Sequence, residues 1–249
     1  MMLSDLPDEV LCCLFDCLDV ADMRRAALVC RRWSELVFSG RRMDRVLLRP
    51  KPDECSVLMR SERNYRHIYL KFIDCTAPVF AEGMPEKILQ KFGLSITSLR
   101  IESGRRATRA MLRKLLLEVP NLQELSIDMD LPYSDTETTE SFPVLSKLKY
   151  LNLHPVENMP LFRDTLNLPT NSPRLEHLNL NNEGAAFSNV LEYFSPQLKV
   201  VTVYNATEQL FLLNFPQLRE LNLAVNIRTT PLLSLDFFSK ALLHSKARD

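Results

Sequence analysis

Apolar positions along the chain follow two different rhythms. Between residues 3 and 37 they recur every three to four positions, with Val10, Leu11, Leu14, Phe15 and Leu18 forming one stripe of the kind an amphipathic helix carries. Pro7 suits the first turn of that helix, where a missing backbone donor is harmless. Asp8 and Glu9 follow at the positive end of the helix dipole. Asp19 and Asp22 are both candidate caps for a second helix reaching Val29, and a third carries Trp33, the only tryptophan, with Leu36 and Val37. A segment below about 40 residues seldom buries enough surface to fold alone. These stripes therefore require cover from the rest of the chain or from a partner.

From Met43 onward the rhythm becomes apolar-x-x-apolar-x-apolar. It starts at Met43, Tyr65, Ile96, Leu122, Leu148, Leu175, Leu198 and Leu218, as in LQELSI, LKYLNL, LEHLNL and LRELNL. Recurrence roughly every 20 to 31 residues marks a solenoid, and period and pattern resemble leucine-rich repeats. Pro120, Pro173, Pro196 and Pro216 each stand two residues before a repeat's first leucine, and Pro143 precedes Leu148 with a short insertion. Proline is expected to end a helical segment there and release the chain into a short parallel strand. Helical patterns run over 85–92, 107–119 and 185–194. The turn asparagine of such repeats survives clearly only at Asn226, with Asp130 a substitute, so regular curvature is not expected. Leu235, Phe238 and Leu242 suggest a capping helix. The predicted fold is an α/β repeat: a three-helix region over 1–42, an irregular solenoid over 43–230 with its parallel strands on the concave face, and a C-terminal cap and tail over 231–249.

In each strand the apolar positions point inward and the alternating ones line that concave face. One row then reads Arg45, His67, Ser98, Glu124, Tyr150, His177, Val200 and Glu220. The middle row reads Leu47, Tyr69, Arg100, Ser126, Asn152, Asn179, Thr202 and Asn222. The third reads Arg49, Lys71, Glu102, Asp128, His154, Asn181, Tyr204 and Ala224. Tyrosine and arginine are frequent anchors of protein interfaces. The candidate contacts for a peptide or protein ligand are His67, Tyr69, Arg100, Glu124, Asp128, Tyr150, Asn152, His154, His177, Asn179 and Tyr204. A merely solvated polar face is the alternative.

Composition narrows the function. Lys plus Arg and Asp plus Glu each number 31, so no global field favours nucleic acid or an anionic membrane. The early apolar run is interrupted by Asp16 and Asp19, unlike a signal peptide, and nothing approaches the roughly 20 apolar residues of a bilayer span. Cysteines 12, 13, 17, 30, 55 and 75 crowd into the first third, a usage that fits reduced thiols in cytoplasm or nucleus. Basic residues from Arg100 to Lys114 precede acids from Glu118 to Glu140, two stretches that can neutralise each other across adjacent repeats or leave an acidic patch for a basic segment. Ser134, Thr136 and Thr138 are possible phosphate acceptors. No metal-ligand spacing, Gly-rich phosphate loop or serine elbow is present. No catalytic residue, metal or cofactor is assigned, and a thiol or metal enzyme is the disfavoured rival.

The order Leu-x-x-Leu-Pro, an apolar helix, Asp-Met-Arg-Arg and then Val-Cys-Arg-Arg-Trp resembles an F-box through about 35 positions. Met23 stands where leucine is usual, and Arg41-Arg42-Met43 where a second tryptophan often follows. Neither swap is expected to place a charge on the apolar stripe. By resemblance, Leu3, Leu6, Pro7, Leu11, Leu14, Leu18, Val29, Cys30 and Trp33 dock onto a Skp-type adaptor. With the repeats, the resemblance implies an F-box and leucine-rich-repeat protein, the non-catalytic substrate-recognition subunit of an SCF-type cullin-RING ubiquitin ligase. Its partners would be the adaptor, through it the cullin, and an unidentified protein substrate. A protein-interaction scaffold that promotes no ubiquitin transfer is the alternative.

Overall fold

The computed structural model describes residues 5–72, 83–103, 109–129, 142–154, 172–181, 196–204 and 215–224. Leu3, the pattern over 185–194 and the cap over 231–249 lie outside them. Helix α1 spans Asp8–Asp16, α2 Val20–Ala26 and α3 Arg31–Val37. Pro7 immediately precedes α1, and its carbonyl accepts the Leu11 amide. Of the two candidate caps for α2, Asp19 does the capping: its Oδ1 accepts the Asp22 amide at 2.7 Å. Helix α2 ends at Ala26, short of the expected Val29.

The three helices enclose a small core of Leu11, Phe15, Met23, Ala26 and Val37, with Leu6, Leu18, Trp33, Leu36 and Phe38 packed around it. Phe15 meets Trp33 edge to face at 5.2 Å. The apolar stripe read from sequence splits in two here. Leu11 and Phe15 turn inward, whereas Val10 and Leu14 are exposed.

A 3-10 helix, Gly40–Arg45, leads into β1 (Leu47–Leu48). Another 3-10 turn, Pro52–Glu54, and α4 (Cys55–Leu58) follow. The remaining strands are β2 (His67–Phe72), β3 (Ser98–Ser103), β4 (Glu124–Met129), β5 (Tyr150–His154), β6 (His177–Asn181), β7 (Val200–Tyr204) and β8 (Glu220–Ala224). Helices α5 (Met84–Phe92) and α6 (Arg109–Leu117) lie between β2, β3 and β4. All eight strands pair in parallel and in chain order. That topology is consistent with a repeat solenoid.

Repetition is visible in the hydrogen bonds as well as in the apolar pattern. One carbonyl before each strand accepts two successive amides of the next unit: Arg66 serves Thr97 and Ser98, Thr97 serves Gln123 and Glu124, and Gln123 serves Lys149 and Tyr150. The same arrangement continues through Lys149, Glu176 and Lys199. Proline acts in a tighter structure than a helix stop. Pro120, Pro173 and Pro216 are second in turns closed by Leu122, Leu175 and Leu218 amides bonded to the Val119, Ser172 and Phe215 carbonyls, where a fixed φ fits the turn. In the unit with the insertion, Ser146 takes that place and Pro143 lies outside the turn.

One face of the sheet is covered. Ile68, Leu70, Leu99, Ile101, Leu125, Ile127, Leu151, Leu153, Leu178, Leu180, Val201 and Val203 join Ile88, Leu89 and Phe92 of α5 and Leu112, Leu115 and Leu116 of α6 in a single core. Gly93, at the end of α5, allows a close approach: a Cβ there would lie 1.8 Å from the Glu118 carbonyl oxygen and 2.4 Å from that of Leu89. The opposite face carries the alternating polar residues, half-buried or exposed, and no described element packs over it. All-parallel sheets are ordinarily covered on both faces.

Candidate functional site

Two surfaces hold the residues singled out by sequence. On the helical region, Pro7, Leu14, Val29 and Cys30 are exposed, Leu6, Leu18 and Trp33 are half-buried, and Leu11 is wholly buried. Leu11 therefore belongs to the core and corrects the expectation that it touches a partner. Sequence reasoning missed two exposed apolar side chains, Val10 at 43% and Leu28 at 86%, which join Leu14 at 46% and Val29 at 62%. A five-residue core cannot cover a helix that is apolar on more than one side, so the width of the stripe was itself the signal.

Arginines hold this region in shape. Arg32 donates to Asp8 Oδ1 and, at 2.7 Å, to the Leu6 carbonyl, fixing the entry to α1 against α3. Helix α1 has no basic residue in its last turn. Arg42 and Arg45 supply the charge from beyond α3. Arg42 donates to Asp16 Oδ1 at 2.8 Å, to the Cys12 carbonyl at 3.4 Å and to the Leu36 carbonyl at 2.8 Å. Arg45 donates to the carbonyls of Asp16 and Leu18. Carbonyls that the end of α1 leaves unpaired thus gain donors, and cations occupy the negative end of its dipole. Arg42, beside Arg41, holds the Asp16 carboxyl below the usual carboxylate range. Arg42 is buried, and its charge is compensated by Asp16.

The same anchoring corrects the first repeat. Because Gly40–Arg45 is a 3-10 helix, Arg45 is not on the sheet face, and the strand begins at Leu47, which pairs with His67. The pattern at Met43 is two residues out of register. Leu47 belongs in the first row, and Arg49 stands over the Tyr69 ring at 5.3 Å, beside the middle row and not the third.

From β2 onward the register aligns the rows as read. His67, Ser98, Glu124, Tyr150, His177, Val200 and Glu220 face one another across successive strands, as do Tyr69, Arg100, Ser126, Asn152, Asn179, Thr202 and Asn222. Tyr150 and His177 bring their rings within 6.2 Å. Asp128 pairs with His154, whose Nδ1 lies 3.3 Å from Asn181 Nδ2. Tyr204 is exposed at the end of β7. Asn152 donates to Ser126 Oγ at 3.2 Å, while the buried Oδ1 atoms of Asn152 and Asn179 have no donor among the described residues.

At the helical end, Tyr69 donates to Glu102, whose other oxygen lies 2.5 Å from Lys71 Nζ. Lys71 first, and Tyr69 second, hold Glu102 below the usual carboxylate range. Burial, then the bond to Glu102, raises the Tyr69 phenol. Among the described residues no group of three His, Cys, Asp or Glu side chains is placed to hold a metal ion.

A family model described as F-box-like matches residues 3–49. The match spans the three helices, the 3-10 helix and β1. The chain thus carries an F-box-like region followed by a parallel sheet of eight strands, and no catalytic family is indicated. Such a region suggests a Skp-type adaptor as partner.

Proposed function

We propose that this protein is the substrate-recognition subunit of an SCF-type cullin-RING ubiquitin ligase, its sheet a leucine-rich-repeat array. The observation that carries the reading is the set of exposed apolar side chains, Val10, Leu14, Leu28 and Val29, on a region matched by an F-box-like model. They are the surface offered to the adaptor, which links the chain to the cullin. The open face of the sheet holds the protein target. Catalysis is then positional: the target's lysines are kept at high effective concentration beside a charged ubiquitin-conjugating enzyme. Cys12, Cys13, Cys17, Cys30 and Cys55 are free thiols, which fits work in the cytoplasm or nucleus.

Binding of a purified Skp-type adaptor to the full chain, followed by reconstituted ubiquitin transfer to a captured partner, tests the reading. A chain that does not bind the adaptor overturns it. One that binds the adaptor but supports no transfer is a scaffold instead.

A further inference from the structure

The open face changes sign along its length, and the change falls between β3 and β4. Among the described residues this end of the face carries three cations, Arg49 just past β1, Lys71 on β2 and Arg100 on β3, and one carboxylate, Glu102. That carboxylate is already engaged by Lys71 and by the Tyr69 hydroxyl. The guanidinium of Arg49 lies 5.3 Å from the centre of the Tyr69 ring, and that of Arg100, from the strand on the other side, lies 5.0 Å away. Both side chains are exposed. Among the described residues neither guanidinium has a carboxylate within ion-pair distance, and neither donates a hydrogen bond.

A guanidinium held against an aromatic ring is positioned without using its N–H groups. Two of them, one on each side of Tyr69, leave two planar forks free on the open face. Such forks match the oxygens of a phosphoryl or carboxylate group and bind either with charge-assisted hydrogen bonds. We propose that Arg49 and Arg100, spaced by Tyr69, form an anion-binding subsite for a single phosphorylated or acidic side chain of the protein target. The proposal rests on the reading of the open face as the target-binding face. The ligand is a point anion and not a polyanion, because β4 next in line presents Glu124 and Asp128, which would repel a phosphodiester backbone continuing across the sheet. The same step in charge orients the target, with its anion over β1–β3 and any basic residue over β4.

The test uses the full chain in complex with the Skp-type adaptor and three fluorescein-labelled degenerate peptide pools, each with one fixed central residue: phosphoserine, glutamate or serine. Fluorescence anisotropy should show the phosphoserine pool binding about tenfold more tightly than the serine pool, the order expected for a charge-assisted pair. A glutamate pool equal to the phosphoserine pool assigns a carboxylate ligand, and one equal to the serine pool assigns a phosphoryl ligand. The double variant Arg49→Gln, Arg100→Gln should erase the difference while leaving adaptor affinity and melting temperature unchanged. Equal binding of all three pools, no binding of any, a preference that survives in the double variant, or tighter binding of a single-stranded oligonucleotide each overturns the proposal. Adaptor affinity is measured separately, so failure of the ligase reading shows there and failure of the subsite shows in the pools.

Discussion

Replacing Leu28 with alanine should separate docking from folding. Leu28 is 86% exposed and follows the last turn of α2, so its side chain contributes little to the folded chain but is available to a partner. Leucine to alanine removes about three methylene equivalents, worth about 0.8 kcal/mol each when buried. Scaling by the 86% exposure gives about 2 kcal/mol, or about a 30-fold rise in the adaptor Kd if docking covers the residue completely. Leu14, at 46%, should lose about 1 kcal/mol and about sixfold on the same reasoning. Leu11 is the control in the other direction. With no exposed surface it has nothing to give an interface, and Leu11→Ala should cost about 2–5 kcal/mol of stability through the cavity it leaves. Titration calorimetry of the full chain with the adaptor, beside thermal unfolding of each variant alone, reads both quantities. If Leu28→Ala and Leu14→Ala bind within twofold of wild type at unchanged melting temperature, the exposed apolar side chains are not the docking surface. If Leu11→Ala weakens binding without lowering the melting temperature, the division into core and contact residues is wrong.

Other consequences are more local. Because Arg42 and Arg41 lower the Asp16 pKa in the folded chain, Asp16 adds stability above its unfolded pKa of about 3.9 that is lost as the pH falls through the folded value. Asp16→Asn should flatten the acid side of a stability profile measured by urea unfolding from pH 7 to pH 3, and an unaltered profile would show that the pair is not formed. Arg42→Met should cost about 2 kcal/mol in the same assay, less than the ~3–5 kcal/mol of a fully buried pair because Asp16 keeps some solvent. Gly93→Ala should destabilise by about 3 kcal/mol or more, since its Cβ meets the Glu118 and Leu89 carbonyl oxygens, backbone atoms that no rotamer change can move. A melting temperature within two degrees of wild type would mean that α5 and α6 separate easily.

The array was legible because two periodicities reinforce each other in it. Alternation of period two fixes which residues share a face, and the recurring leucine fixes where each strand starts, so the rows from His67 to Glu220 follow from the sequence. Residues 43–48 carry the same apolar spacing but enter the sheet two residues later than it predicts. Their conformation is set by Arg42 and Arg45 reaching back to α1, contacts more than 25 residues apart in sequence that no local pattern reveals. Within α1 the ambiguity is of a different kind. An apolar stripe shows what must leave water, but not whether the chain's own core can take all of it, and here Leu11 is buried while Leu14 stays exposed. Asp19 and Asp22 were equivalent as letters, and only the observed start of α2 selects Asp19. The Arg49–Tyr69–Arg100 cluster depends on the corrected register of β1, so it could not be assembled from the sequence rows.

Packing across the junction of helices and sheet also determines how this chain can be cut and rejoined. Phe38 contacts both hydrophobic cores, Arg63 places its guanidinium 4.0 Å from the Phe38 ring and donates to Ser34 Oγ, and Arg66 pairs with Asp44 at 2.9 Å. Met43 and Val46 belong to the core of the array although they fall within the F-box-like match. A chimera spliced after residue 42 would keep Met43 and Val46 with the array but part Arg45 from the Asp16 and Leu18 carbonyls it binds. A transplant that carries the F-box-like region to another array must take β1 with it and supply replacements for Arg63 and Arg66. The exchangeable unit of this protein is therefore longer than its helices and includes the first rung of the structure it is joined to.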